Sequence, residues 1–126
     1  MRIAYIDTSC MVAIALNETG ARAVARRLSR FPTRVASNLL ESELRSALAR
    51  ESLPFEPDFV AGISWILPDR PLSAEMELAL KAGHLRGADL WHIACALSLN
   101  PEPGSLTFLT LDERQRAVAA ALGFAV

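Results

Sequence analysis

Short apolar runs alternate along the chain with longer segments in which apolar residues recur every three or four positions. The runs at 3–6 (IAYI), 33–37 (TRVAS) and 105–111 (SLTFLTL) are typical of strands. The longer segments predict amphipathic helices, the clearest of them over 39–52 and 88–99. Regular alternation of strands and helices favours an α/β fold with a mostly parallel central sheet.

Proline and glycine residues mark several further boundaries. Pro32 ends an arginine-rich helix predicted over 19–31, and Gly83 ends a helix that begins at Ser73. The segment 57–67 predicts a helix that runs into a strand near its end. Three more elements are predicted: a helix over 10–16, a helix over 112–122 and a closing strand over 124–126.

The size and composition of the chain predict a single globular domain that spans residues 1–126. Apolar residues make up 52% of the sequence, enough to form a core without covalent cross-links. Cys10 and Cys95 lie among apolar residues, which favours small core side chains over a disulfide framework. Because no apolar run approaches about 18 residues and no leader pattern is visible, we expect a soluble, cytoplasmic protein without a membrane partner.

The charge balance neither requires nor excludes a nucleic-acid partner. The formal net charge is −1, yet 12 of the 13 basic residues are arginine. Arginine is the side chain best suited to bidentate contacts with phosphate groups. A metal ion that neutralised a few carboxylates would leave the remaining surface net positive, so the charge alone does not decide.

Two predicted strands are each followed by an acid in a threonine- or serine-containing setting. Asp7 follows the first strand in YIDTS, and Asp112 follows the last in FLTLDE. Each could simply cap the helix that comes next, since an aspartate at that position accepts backbone N–H groups. However, the carboxyl ends of parallel strands meet at one sheet edge, where two neighbouring carboxylates repel each other. This arrangement therefore favours a functional site.

Two more acids lie on otherwise apolar helix faces. Glu43 belongs to the helix over 39–52, and its alternative interpretation is a solvated charge paired with Arg45 or Arg50. Asp89 begins the helix over 88–99, and its alternative role is again a cap. Together with the two strand-end acids they are better explained as a cation site. An all-oxygen ligand set suits Mg²⁺ or Mn²⁺, and the lack of a Cys/His cluster disfavours zinc.

Four segments in this order and spacing resemble the PIN-domain family, in particular the VapC-type toxins of toxin–antitoxin systems. They are YIDTS, SNLLESELRSAL, LRGADLWHIACAL and FLTLDERQRAVAAALG, and they span nearly the whole chain. The resemblance implies a PIN-like α/β/α sandwich with a mostly parallel central sheet. It also implies Mg²⁺- or Mn²⁺-dependent endoribonuclease activity on RNA, with a cognate antitoxin and a second copy of the chain as partners.

The same resemblance assigns roles to individual residues. It implies that four acids are both the metal ligands and the catalytic residues: Asp7, Glu43, Asp89 and Asp112. It also implies that Ser9 and Thr110 are hydroxyl residues that support these ligands.

Other functions and other residues are weighed against this hypothesis. The chain could be a catalytically silent PIN-like interaction module, although the presence of all four acids argues against it. A phosphatase with an aspartate nucleophile would need a second aspartate where Ser9 stands.

We interpret His92 as a core histidine and leave it out of the metal set, and Arg86 as a phosphate or acid partner. Four arginines of the helix over 19–31 are interpreted as a solvated face, with contact to an RNA backbone as the alternative: Arg22, Arg26, Arg27 and Arg30.

Overall fold

A four-stranded parallel sheet forms the centre of the computed structural model, which describes residues 2–126. The strands are β1 (Ile3–Ile6), β2 (Thr33–Ser37), β3 (Ile63–Ile66) and β4 (Leu106–Leu109), arranged in the order β3-β2-β1-β4. All three strand pairings are parallel. The predicted parallel sheet is therefore confirmed, and β1 lies inside it between β2 and β4.

Six helices connect and cover the strands. They are α1 (Thr8–Ala15), α2 (Ala21–Leu28), α3 (Leu39–Arg50), α4 (Ser73–Ala82), α5 (Gly87–Ser98) and α6 (Glu113–Ala121). Among the described residues, no helix is long and apolar enough to cross a membrane.

Side-chain alternation along β1 separates two hydrophobic cores, one on each face of the sheet. Ala4 and Ile6 pack on the side of α1, α2 and α3, with Leu40 and Leu44 of α3 fully buried there. Tyr5 points to the opposite side, that of α4, α5 and α6, where its ring stacks on Phe108 with centroids 4.9 Å apart. Each fully buried side chain of this size stabilises the fold by roughly 1.5–3 kcal/mol. The predicted α/β/α sandwich is confirmed.

Three predicted elements differ from those in the structure. In place of a helix, the segment before β3 forms a short 3₁₀ turn over Pro57–Val60. Gly62, which follows the turn with a left-handed φ of 79°, prevents the helix from continuing. The arginine-rich helix is shorter than predicted because Gly20, with a φ of 90°, precedes its first turn. The closing strand is reduced to one parallel bridge, between Thr107 and Ala125.

Gly83 ends α4 as predicted, but for a different physical reason. Its φ of 168° is extended backbone that any residue adopts, so no left-handed conformation is required here. A Cβ atom at this position would lie 2.9 Å from Val118 Cγ2 of α6. Close packing between the end of α4 and α6 therefore explains the glycine.

The two cysteines are buried and unpaired, which confirms that they fill space in the cores. Cys10 lies in the core against α1–α3, and Cys95 lies in the core against α4–α6. Burial raises the pKa of the Cys10 thiol to about 12 and that of Cys95 to about 11. Both thiols are therefore protonated and unreactive at neutral pH.

Candidate active site

Adjacent strand ends bring Asp7 and Asp112 to the same edge of the sheet. The Asp7 N–H donates to the carbonyl of Leu109 at 2.9 Å, directly extending the pairing of β1 with β4. Asp7 Oδ2 accepts from Ser9 N at 3.2 Å, and Asp112 Oδ1 accepts from Gln115 N at 2.8 Å. Both acids thus cap helices, α1 and α6, as the alternative interpretation predicts. In each case one carboxylate oxygen remains outside the cap.

Two hydroxyl groups connect these acids to the neighbouring loop. Ser9 Oγ donates to Asp7 Oδ2 at 2.6 Å and accepts from Leu111 N at 3.0 Å. Thr110 Oγ1 lies 3.1 Å from the same Asp7 oxygen and accepts from Asp112 N at 3.0 Å. The structure therefore places Ser9 and Thr110 beside the strand-end acids, where the Ser9 hydroxyl fixes the Asp7 carboxylate and Thr110 Oγ1 holds the Asp112 backbone.

Glu43 projects from α3 towards α1 and α5. Its Oε1 accepts from Thr8 Oγ1 at 2.7 Å and lies 2.7 Å from His92 Nε2. Burial raises the pKa of Glu43, but the hydrogen bonds from His92 and Thr8 outweigh it, so the pKa falls below its usual value. The alternative interpretation as a solvated ion pair is wrong, because Arg45 pairs with Glu41 at 2.8 Å.

Asp89 occupies the first turn of α5 but does not cap the helix, because the capping position belongs to Arg86. The predicted cap role is therefore wrong. No hydrogen-bond donor within residues 2–126 reaches its carboxylate. Burial, followed by the charges of Asp7 and Asp112, raises the pKa of Asp89, while His92 and then Arg86 have smaller opposite effects. The three aspartates are therefore close enough to repel one another.

An open hollow of about 640 Å³ lies beside two of these acids. Six residues line it: Leu85, Arg86, Asp89, Asp112, Glu113 and Arg114. The lining combines carboxylates with two exposed arginines. Such a surface can approach a phosphodiester backbone once the negative charge of the acids is compensated.

The donor chemistry of this edge fits a hard divalent cation. Within residues 2–126 no group of three or more His, Cys, Asp or Glu side chains is arranged to hold a metal ion directly. Mg²⁺ commonly keeps several waters and is bound through only one or two carboxylates, so a closed cage is not required. The observation that favours a cation is the proximity of Asp7, Asp89 and Asp112, since a positive charge would relieve the repulsion that adds to burial in raising the pKa of Asp89.

Buried polar residues that the sequence did not assign to the site surround these acids. His92 is 1% exposed, which confirms a core position, yet it also contacts Glu43. Its Nδ1 lies 2.7 Å from the Tyr5 hydroxyl. Gln115 is fully buried, accepts from Thr110 Oγ1 at 2.7 Å and donates to the Asp89 carbonyl at 3.3 Å. The spacing of Gln115 three residues after Asp112 is a capping-box signal that could have drawn attention to it.

The comparisons with known proteins identify one family. A family model described as the PIN domain matches residues 4–121. The PIN domain is a nuclease fold whose members are generally metal-dependent ribonucleases that use ions such as Mg²⁺ or Mn²⁺. No curated protein sequence matches the chain.

Proposed function

The chain belongs to the PIN-domain family, and on that premise we propose that it is a Mg²⁺- or Mn²⁺-dependent endoribonuclease. The observation that carries the proposal is the convergence of three aspartates at one sheet edge: Thr110 Oγ1 lies 3.1 Å from Asp7 Oδ2 and 3.0 Å from Asp112 N, and Asp89 and Asp112 line one hollow. Clustered carboxylates destabilise a fold unless they bind a cation or a proton. A cation site beside an arginine-containing hollow is suited to phosphodiester hydrolysis.

The proposed roles follow from the contacts of each side chain. Asp7, Asp89 and Asp112 would hold the metal, with Asp7 oriented by Ser9 and the Asp112 backbone held by Thr110. A bound divalent ion would activate a water molecule and stabilise the leaving oxygen of the phosphodiester. Glu43 is a fourth acid of the site, and its hydrogen bonds keep it ionised at neutral pH.

The arginines near the site support RNA as the substrate. Arg86 and Arg114 line the hollow beside the aspartates, where they would contact phosphate groups of the bound strand. Arg27 and Arg116 line a second hollow of about 190 Å³ that also reaches Thr110. An RNA backbone that contacted the arginines of both hollows would pass the acids.

We further propose that the nuclease is the toxin of a toxin–antitoxin pair. Support comes from the four sequence segments that resemble VapC-type toxins. Expression of the wild-type chain should arrest growth, and expression of Asp7→Asn should not. A cognate antitoxin encoded beside it should restore growth and inhibit cleavage. Growth unaffected by the active wild-type enzyme would contradict the toxin role while leaving the nuclease assignment intact.

A second copy of the chain is proposed as an additional partner. Support comes from the same resemblance to VapC-type toxins, and Leu78 of α4, 51% exposed, offers an apolar side chain that an interface could cover. Light scattering on the purified protein should give twice the mass of one chain. A monomer at all concentrations would contradict this proposal.

RNA cleavage tests the proposed function. The wild-type protein should cleave RNA with Mn²⁺ or Mg²⁺, and a chelator should abolish cleavage. Asp7→Asn should lower the rate by at least 100-fold, on the order seen when a group needed for transition-state charge stabilisation is removed. Glu77→Gln, an exposed acid of α4, is the matched control and should retain activity. Cleavage that survives chelation would contradict the proposal, and no cleavage at all would favour a silent interaction module.

A further inference from the structure

His92 connects the core of the domain to the acid of α3. It is 1% exposed, and both ring nitrogens have polar neighbours: Nδ1 lies 2.7 Å from the Tyr5 hydroxyl, and Nε2 lies 2.7 Å from Glu43 Oε1. The ring also packs edge-on against Tyr5, with centroids 5.9 Å apart. These contacts satisfy both ring nitrogens, as burial requires, and one of them reaches an acid of the candidate site.

The direction of these hydrogen bonds follows from the donors around Tyr5. Its hydroxyl oxygen accepts from the backbone N–H of Ser37 at 3.3 Å. A tyrosine hydroxyl has a single hydrogen to donate at neutral pH. The acceptor for that hydrogen is His92 Nδ1. Because Nδ1 accepts, the hydrogen of the imidazole ring is on Nε2.

The opposite arrangement would leave buried groups without partners. With the hydrogen on Nδ1, the Tyr5 hydroxyl hydrogen would have no acceptor, and the Nε2 lone pair would face Glu43 Oε1. Burying an unsatisfied polar group costs about 1–3 kcal/mol. In the structure, no buried side-chain nitrogen or oxygen within residues 2–126 lacks a partner. A neutral ring with its hydrogen on Nε2 satisfies the Tyr5 hydroxyl and Glu43 Oε1 together.

Glu43 therefore receives two hydrogen bonds on one oxygen. His92 Nε2 and Thr8 Oγ1 both donate to Oε1 at 2.7 Å, whereas Oε2 receives none from residues 2–126. Two short bonds on one oxygen fix the orientation of a side chain that is otherwise one-third exposed. Oε2 is left available for a ligand.

We propose that His92 is a positioning residue for Glu43: the Ser37–Tyr5–His92 chain of hydrogen bonds places a donor on Nε2, which fixes Oε1 and presents Oε2 to a divalent cation. This proposal rests on the proposed metal-dependent function. It assigns to Tyr5 the role of setting the hydrogen position on the His92 ring. Residues that orient metal ligands typically change metal affinity by 10–100-fold when they are replaced.

The first test needs no metal and no RNA. Nitrogen-15 NMR of the metal-free protein should show the His92 ring with its hydrogen on Nε2. In Tyr5→Phe, which removes only the hydroxyl, the ring should no longer be held in that single form. Wild-type protein with the hydrogen on Nδ1 would overturn the proposal.

The second test compares Mn²⁺ affinity among variants by calorimetry. His92→Leu, which removes the donor, should bind Mn²⁺ about 10-fold more weakly, and kcat for RNA cleavage should fall while KM is maintained. His92→Gln offers an amide N–H to Glu43 and should recover most of the affinity. Ile93→Val, a buried apolar change on the same helix, is the matched control and should bind like wild type. Should His92→Leu fail to fold, Tyr5→Phe and His92→Gln provide the comparison.

The outcomes separate this inference from the proposed function. A wild-type protein that neither binds Mn²⁺ nor cleaves RNA overturns the proposed function, and the role of His92 with it. A wild-type protein that does both, while His92→Leu binds Mn²⁺ with unchanged affinity, overturns the role of His92 alone. Equal losses in His92→Leu and Ile93→Val would show a structural effect and would also overturn it.

Discussion

Asp89 of α5 differs from the two strand-end acids in the way its charge is tolerated. Asp7 and Asp112 accept hydrogen bonds from helix N–H groups. Within residues 2–126 no such donor reaches the Asp89 carboxylate, and the effects of His92 and Arg86, which lower its pKa, are smaller than those of burial and the neighbouring acids. Asp89 is therefore the residue at which the cost of assembling the site should be measured.

Replacing Asp89 by asparagine should stabilise the metal-free protein at neutral pH. The pKa of Asp89 in the folded chain is raised above 3.8, so the folded state binds more protons than the unfolded state between the two pKa values. Stability therefore falls as the pH rises through this window, and the full penalty is present above it. Because Asp89 is only partly buried, the gain should stay below about 1 kcal/mol, or at most about 4 °C.

Thermal unfolding of the metal-free protein between pH 4 and pH 7.5 measures this effect. The melting temperature of Asp89→Asn should exceed that of wild type at neutral pH, and the difference should shrink towards pH 4. Glu77→Gln is the control and should show no such pH-dependent gain. A lower melting temperature for Asp89→Asn at neutral pH would mean that the acids do not repel one another.

At the scale of elements, the contact between the end of α4 and α6 determines how closely two helices of the same layer approach. A Cβ atom on Gly83 would overlap Val118 Cγ2 at 2.9 Å, and Val118 is buried and stiff. Gly83→Ala should therefore destabilise the fold by about 1–3 kcal/mol. In a Val118→Ala background the same change should cost close to zero, as measured by urea unfolding. If the free-energy costs of Gly83→Ala and Val118→Ala summed to the cost of the double variant within about 0.5 kcal/mol, a direct clash would be contradicted.

The strands and most of the helices could be predicted from local patterns, since hydrophobic periodicity and prolines act within one element. Asp7 and Asp112 could also be placed, because both follow a strand and parallel strands end at one edge. Segment 57–67 was less predictable, since a left-handed glycine inside it breaks an otherwise helical pattern.

Side-chain partners were the part that the sequence did not reveal. His92 and Glu43 are 49 positions apart, and Tyr5 and His92 are 87 apart. Contacts at such separations depend on how α3 and α5 are placed against β1, which no local pattern specifies. For the same reason, the sequence suggests a surface ion pair between Glu43 and a nearby arginine, whereas the partners of Glu43 are Thr8 of α1 and His92 of α5.

At the scale of the whole molecule, the site joins elements from both layers of the sandwich. Glu43 belongs to α3 on one side of the sheet and Asp89 to α5 on the other, with Asp7 at the end of the central strand. A ligand that binds only this folded arrangement stabilises the entire domain. Mn²⁺ at 100 times its dissociation constant should add about 2.7 kcal/mol to the free energy of unfolding. An unfolding curve that Mn²⁺ leaves unchanged would contradict binding to the folded state.

Calorimetric titration of the metal-free protein with Mn²⁺ tests most directly whether the acids form a cation site. The wild-type protein should bind Mn²⁺, Asp7→Asn should bind at least 10-fold more weakly, and Glu77→Gln should match wild type. No binding by the wild-type protein, or equal affinity in Asp7→Asn, would contradict a metal-dependent nuclease and favour a silent interaction module.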